Sequence, residues 1–432
     1  MTQKDVSNLN DLYKNNGYTQ FTLDNLQFIE ETQTLAFQCV EGKVDKRRLH
    51  GLNENNRKVV TREFNRFDFS TFNLYDEFRL RSIFIETGFF SNATYPKTTP
   101  QNNRLILDYY FSEKKFNYFD LGIEEMRDEN ALAIFFQIKL RNLFLYSDYF
   151  TMKTQIQTND GAQIRSYGID YLQPWILNNY PLSGKISLWT QFRRDSLGSS
   201  RESYSNKRVG GSLSTSLPFN KYLSTIDLRI KQEVVTPYLN ATFIPYDINS
   251  ARIKLSHDTR LSILNAKKGY YITTSLERGS VKLGSSLGTL NYSRSFIEGG
   301  YFLPLSKKTT LASRVSFGQF LRDRTTITET FESEGFILGG GNTLRGTPAL
   351  SYIDDQRFLS NIELRQDISE NIQGVVFIDA GMVYDQHETL NLGKLSYGVG
   401  FGVRFLTGII PLRLDLGFGE DVILHFNVGQ LF

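Results

Sequence analysis

The stretch "STIDLRIKQ" at 224–232 alternates with a period of two. Ile226, Leu228 and Ile230 fall on one face, and Asp227, Arg229 and Lys231 on the other. "PLRLDLGF" (411–418) repeats the device, with Leu412, Leu414, Leu416 and Phe418 opposed to Arg413, Asp415 and Gly417. "LASRVSFGQF" (311–320) sets Leu311, Val315 and Phe317 against Arg314, Ser316 and Gly318. Turn signals at 159–161, 198–200 and 267–269 punctuate these runs. Strands with one wet face also build soluble sandwiches. Here the polar face carries charges of both signs strand after strand, as a water-filled lumen requires, and the other face is nearly free of charge, as lipid requires. At about 20 residues per strand and connection, 116–432 holds roughly sixteen strands. So many strands without helical cover would expose edges unless they closed. The reading is an all-β transmembrane barrel of about sixteen antiparallel strands.

Composition agrees. Among 432 residues are 23 Tyr, 34 Phe and 33 Gly against 10 Pro, which suits strands and tight turns. The longest apolar run, "GVVFIDAGMVY" (374–384), is about half of the roughly 20 residues that a spanning helix needs, and it carries Asp379. A formal charge of +3 gives no field to attract nucleic acid. The single cysteine, Cys39, excludes an internal disulfide framework and a cysteine-based metal site. His50, His257, His387 and His425 are scattered without metal-ligand spacing.

The first 115 residues have another texture. The segment 44–90 reads as a strand, a turn at 51–56 and two helices, the second carrying Leu74, Phe78, Ile83 and Ile85 and stopped by Gly88. A further strand follows at 104–114. Residues 8–40 read as a helix end capped by Gly17 and two strands, like the back half of a second copy of this α+β unit. "MTQKDVSNLNDLYKNN" has no basic n-region followed by an apolar h-region, so a secretory signal is expected upstream of a chain that begins inside a repeat. In the last stretch, "DVILHFNVGQLF" (421–432), Val422, Leu424, Phe426, Val428 and Phe432 form an apolar stripe, with His425, Asn427 and Gly429 turned inward. Phe432 is then expected to stand in the aromatic girdle.

Several stretches coincide with one family. The chain resembles the BamA/TamA-type outer-membrane assembly proteins, the bacterial surface-antigen family, over essentially its whole length. "GLNENNRKVVTREF" and "LRSIFIETGFFSNA" look like the barrel-proximal POTRA module, and "LYKNNGYTQFTL" like the end of the POTRA before it. "YLQPW" (171–175) and "SHDTRLSILNAKKGYYITTSLE" (256–277) match barrel features. "LGGGNTLRGT" (338–347) is similar to the family's Arg-Gly loop, with Thr347 where the family has an aromatic, and "FIDAG" (377–381) to its Phe-x-Asp-x-Gly strand.

The resemblance implies three domains: 1–42, a truncated POTRA; 43–115, a complete one; and 116–432, the barrel. It implies a bacterial outer-membrane protein with its POTRA in the periplasm that inserts other outer-membrane proteins. It implies no enzymatic activity and no cofactor, nucleotide or nucleic-acid partner. Its partners would be the lipid bilayer, unfolded client proteins and accessory lipoproteins. The alternative is a two-partner secretion transporter exporting one dedicated protein. A passive porin would lack the module at 44–115.

The glycines at 339–341 are no phosphate cradle, because no Lys-Ser/Thr follows and Pro348 bars the helix. The resemblance places this loop inside the lumen, where the five donors of Arg345 need partners. Asp379 and Glu363 lie on later strands with inward parity, so Arg345 with Glu363 and Asp379 is expected to clasp the loop to the wall. Gly339, Gly340, Gly341 and Gly346 are expected to supply close backbone approach and positive φ, and Gly381 of "FIDAG" belongs to the same lock. A weak seam is expected between 116–127 and 421–432, with Phe426, Val428, Gly429 and Phe432 marking the last strand and Gly429 weakening the pairing.

Overall fold

In the computed structural model the apolar side chains of 224–232 are the exposed ones: Leu228 is 46% and Ile230 57% accessible. The structure describes all residues except 1–2, 30–33, 66–69, 87–88, 102–103, 114–117, 127–130, 142, 145–147, 160–161, 177–180, 196–203, 221–222, 238–244, 263–264, 285–287, 324–333, 350, 407–410 and 429. Gly88, Gly429 and the turns read at 159–161 and 198–200 therefore fall wholly or partly outside the described residues. The chain divides into two units, Met1–Phe116 and Asn117–Phe432.

The first unit is α+β. It opens with α1 (Gln3–Asn15), β1 (Thr22–Ile29) and β2 (Thr34–Val40), the two strands forming a hairpin. Gly17 ends α1 at φ +92, a conformation open to glycine. β3 (Val44–His50), α2 (Glu54–Phe64), α3 (Leu74–Glu86), β4 (Phe90–Ala93), β5 (Lys97–Gln101) and β6 (Arg104–Glu113) follow. β6 pairs in parallel with β3 and antiparallel with β4 and β5. α2 begins inside the expected turn because Asn53 caps it, its side chain accepting from the Asn56 amide at 2.7 Å. The two parts are tied at helix ends: the Leu74 amide donates to the Gly17 carbonyl at 2.8 Å, and Asn73 to that of Asn16 at 3.0 Å. Val60, Leu80, Phe84, Phe90 and Leu107 make the core. Within it Tyr109 donates to both carboxylate oxygens of Glu77, at 2.8 and 3.0 Å. Burial pushes the Glu77 carboxyl up to about 7, against the Tyr109 hydrogen bond and the Arg47 charge, which pull it down.

The second unit is one sixteen-stranded antiparallel sheet, in chain order. Its first strands are β7 (Tyr118–Met126), β8 (Ala131–Arg141), β9 (Tyr149–Asn159), β10 (Ala162–Gln173) and β11 (Ser183–Asp195). The long central ones are β12 (Tyr204–Phe219), β13 (Ser224–Pro237), β14 (Tyr246–Asp258), β15 (Gly269–Leu283), β16 (Thr289–Pro304) and β17 (Thr309–Arg322). Two short strands, β18 (Phe336–Leu338) and β19 (Tyr352–Asp354), form a separate hairpin around the glycine loop. The sheet resumes with β20 (Gln356–Asp367), β21 (Ile372–Tyr384), β22 (Ser396–Phe405), β23 (Leu412–Phe418) and β24 (Val422–Val428). β7 and β24 are its two ends and come close together, but among the described residues no ladder joins them.

The outer face is apolar and exposed from Phe136 on β8 to Phe426 on β24, at 45% and 62%. Such a surface is stable in lipid and not in water. Inside, Arg229 and Lys231 of the opening stretch meet Glu277 and Glu233 at 3.5 and 3.3 Å.

Candidate functional site

The segment 339–349 between β18 and β19 packs against the inner faces of β20 to β24. Its shape comes from Thr343, whose hydroxyl accepts from the Gly339 amide and donates to the Gly339 carbonyl, and from the Gly340 amide donating to Thr347 at 2.9 Å. Gly339, Gly340 and Gly346 have φ of +115, +92 and +84. Gly341 does not; a Cβ there would press on Asn427 and His425 of β24. Gly381 lies under Leu338, where a Cβ would come within 2.9 Å.

Arg345 is fully buried. Its Nε and Nη2 donate to Asp379 at 2.7 and 2.8 Å, a bidentate fork, and its own amide donates to the same carboxylate at 3.1 Å. Nη1 donates to Glu363 at 2.7 Å and to Asp415 at 3.1 Å. The guanidinium lies 3.4 Å from the ring centre of Phe377, so Phe and Asp of "FIDAG" hold one face and one edge of the same cation.

The cluster is larger than the expected triad. Glu363 also accepts from Arg365 at 2.8 Å and from Arg404 at 3.2 Å. Asp415 bonds both terminal nitrogens of Arg404 and lies 3.6 Å from Arg413. Asn361 bridges: its amide donates to Asp379 and to the Thr343 carbonyl, each at 2.7 Å, and its oxygen accepts from Arg314. Four arginines and three carboxylates thus share a region with no access to water. The arrangement fixes a segment in place.

The wall behind the loop is made of glycine. A Cβ on Gly398 would collide with the Arg345 carbonyl, one on Gly400 with Leu416 and Phe377, and one on Gly417 with Gly346. Alternation turns Asp415 inward, but nothing in the sequence links it to Arg345. The alternating glycines of "YGVGFGV" (397–403), spaced as one strand face, were the signal for the wall.

One expectation is corrected. Phe432 does not continue the outward stripe; it is 2% exposed and packs inside the barrel with Tyr271, Phe302 and Leu431. Regular pairing ends at Val428, so parity no longer governs the following residues. Inside, the Phe432 ring faces the guanidiniums of Arg365 and Arg314 at 5.0 and 5.3 Å, and Arg314 donates to the Leu431 carbonyl at 3.2 Å. Phe426 does face outward, and the Val428 backbone pairs with Leu412.

Asp354, Asp355 and Asp385 bring carboxylate oxygens within 4.8 Å of one another, and Arg322 forms an ion pair with Asp355 at 3.0 Å. That guanidinium already supplies positive charge to the group.

Solved structures share this architecture. BamA from Haemophilus ducreyi lacking POTRA domains 1–3 matches with a TM-score of 0.59 at 14% identity, over 100% of this chain and 92% of that one. CdiB from Escherichia coli matches at 0.59 and 11%, over 99% and 83%, and CdiB from Acinetobacter baumannii at 0.55 and 13%, over 99% and 81%. No curated protein matches the sequence. The Omp85 superfamily domain matches residues 152–432, and the chain belongs to that superfamily of outer-membrane β-barrel proteins.

Proposed function

We propose that the protein inserts other outer-membrane proteins, using the edge between β7 and β24 as a template for client strands. The observation that carries this reading is the seam. Neighbouring strands along the whole sheet are laddered, while β7 and β24 approach without a ladder among the described residues. β24 pairs over only seven residues, and the chain beyond it turns into the lumen with Leu431 and Phe432. A strand edge with unpaired amides and carbonyls accepts another strand by β-augmentation. The clasped loop supports the same reading from the other side, because it fixes the wall next to the seam while the seam remains free to part.

In this reading 43–115 is a periplasmic POTRA and 1–42 the end of another, whose edge strands receive clients first. Arg345, Glu363 and Asp379 act as the clasp, not as a catalytic set, and no nucleotide or cofactor takes part. The second reading, export of one dedicated protein, draws support from the likeness to CdiB and from the lumen charges of β10 to β15. Cysteine pairs placed across the seam in a background with Cys39 replaced by Ser separate the two. If clients enter at the seam, oxidation stops client insertion into vesicles and reduction restores it. Insertion unchanged by a closed crosslink would overturn the seam reading.

A further inference from the structure

The outer face carries a feature that strand templating does not use. Among the described strand residues, the outward-facing charged side chains are Arg165, Lys207, Asp247, Arg278 and Lys282. All lie on β10, β12, β14 and β15, toward the end of the barrel at which β12 and β14 begin and β15 ends. Asp247 stands directly across from Lys282 in the ladder, so basic charge is left at Arg165, Lys207 and Arg278.

Arg278 is set deepest. Its cross-strand neighbours are Ala251 and Ser293, and the next outward residue on its own strand, Leu276, is 51% exposed in the apolar band. Just beyond it runs a row of uncharged polar side chains in direct register, Gln232, Asn249, Ser280 and Asn291. Arg278 therefore sits where the apolar band gives way to the polar rim. It is exposed and forms no ion pair with any described residue. Beside it the surface sinks into a depression of about 920 Å³, floored by Gly211 and Ala251 and walled by Leu188, Leu213 and Ile230.

A guanidinium at the edge of hydrocarbon needs an anion, and its planar fork suits phosphate. A phosphate alone would not account for the apolar depression next to it; acyl chains would fill it. We propose that this patch binds an anionic membrane lipid, with Arg278 on the headgroup phosphate and the acyl chains over Gly211 and Ala251. The inference holds for either functional reading of the seam, since it concerns the opposite part of the sheet.

The test uses the full chain in phosphatidylcholine nanodiscs doped with lipid A or phosphatidylglycerol, with retained lipid counted by native mass spectrometry. Wild type should keep the anionic lipids in preference to phosphatidylcholine. Arg278→Gln should weaken retention about tenfold, as expected for one charged hydrogen-bonded contact. A Lys207→Gln/Lys282→Gln double variant, altered only at the rim, should weaken it less. Heat-modifiable gel mobility, which reports a folded barrel, should be unchanged in both variants. Equal retention by wild type and Arg278→Gln, or no preference over phosphatidylcholine, overturns the proposal. So does binding of inorganic phosphate to the detergent-solubilised protein at the same strength, because that would make the site an anion site without a lipid.

Discussion

The two sides of the barrel lumen obey one sequence rule and reach different states. On β10 to β15 some inward pairs stay partly wet: Lys185 and Asp170 pair at 3.1 Å with 40% and 33% of their side chains exposed, and Arg229 with Glu277 at 29% and 13%. On β20 to β23 the inward charges Glu363, Asp379, Arg404 and Asp415 have no accessible side-chain surface, because the glycine loop covers them. Alternation alone decides which residues face inward. Whether those residues meet water or arginine depends on what fills the lumen. An ion pair in water contributes little, whereas a member of a dry cluster cannot be removed without stranding its partners.

Removing Glu363 should break the contrast hardest. It serves Arg345, Arg365 and Arg404 together, so Glu363→Ala should cost about 3–5 kcal/mol in equilibrium unfolding followed by tryptophan fluorescence. Asp170→Asn on the wet side should change stability by less than about 1 kcal/mol. Similar losses in the two variants would erase the distinction.

Glu77 in the α+β unit sharpens the comparison, since it is a buried acid whose hydrogen-bond partner is a hydroxyl instead of a cluster of arginines. Its carboxyl, raised to about 7, keeps a proton that the unfolded chain loses near 4.5. Between those values the folded state binds more protons, so stability falls as pH rises. The contribution is full below about 4.5 and exhausted above about 7, and amounts to at most about 3 kcal/mol. Glu77→Gln should flatten that slope for this unit; an unchanged slope would place the titrating group elsewhere.

The smallest effect tests the glycine wall. Gly398→Ala forces a methyl group onto the Arg345 carbonyl and should cost about 1–3 kcal/mol, with faster protease cleavage within 336–355. Gly168→Ala, where the nearest atom is 3.6 Å away, should be close to neutral.

Much of this was legible in the sequence, for identifiable reasons. Period-two alternation needs no tertiary information, so the strands of 224–232 and 311–320 could be read directly, and inward parity followed for Asp379, Glu363 and Asp415. The partners of Arg345 beyond two acids were not legible. Which inward charges become neighbours depends on sheet register and on where the loop enters, and parity contains neither. Arg404 and Arg365 join the cluster for that reason. Phe432 shows where parity stops: alternation continued past β24 puts it on the outer stripe, but pairing ends at Val428 and the lumen offers the ring two guanidiniums and an apolar pocket.

The central claim is that Arg345 and Asp379 form one clasp between loop and wall. A double-mutant cycle of Arg345→Ala and Asp379→Ala, read by equilibrium unfolding, tests it most directly. The clasp predicts that each single variant loses several kcal/mol and that the double variant loses little more than either, a coupling of roughly 2–3 kcal/mol. Losses that add to within about 0.5 kcal/mol would contradict it.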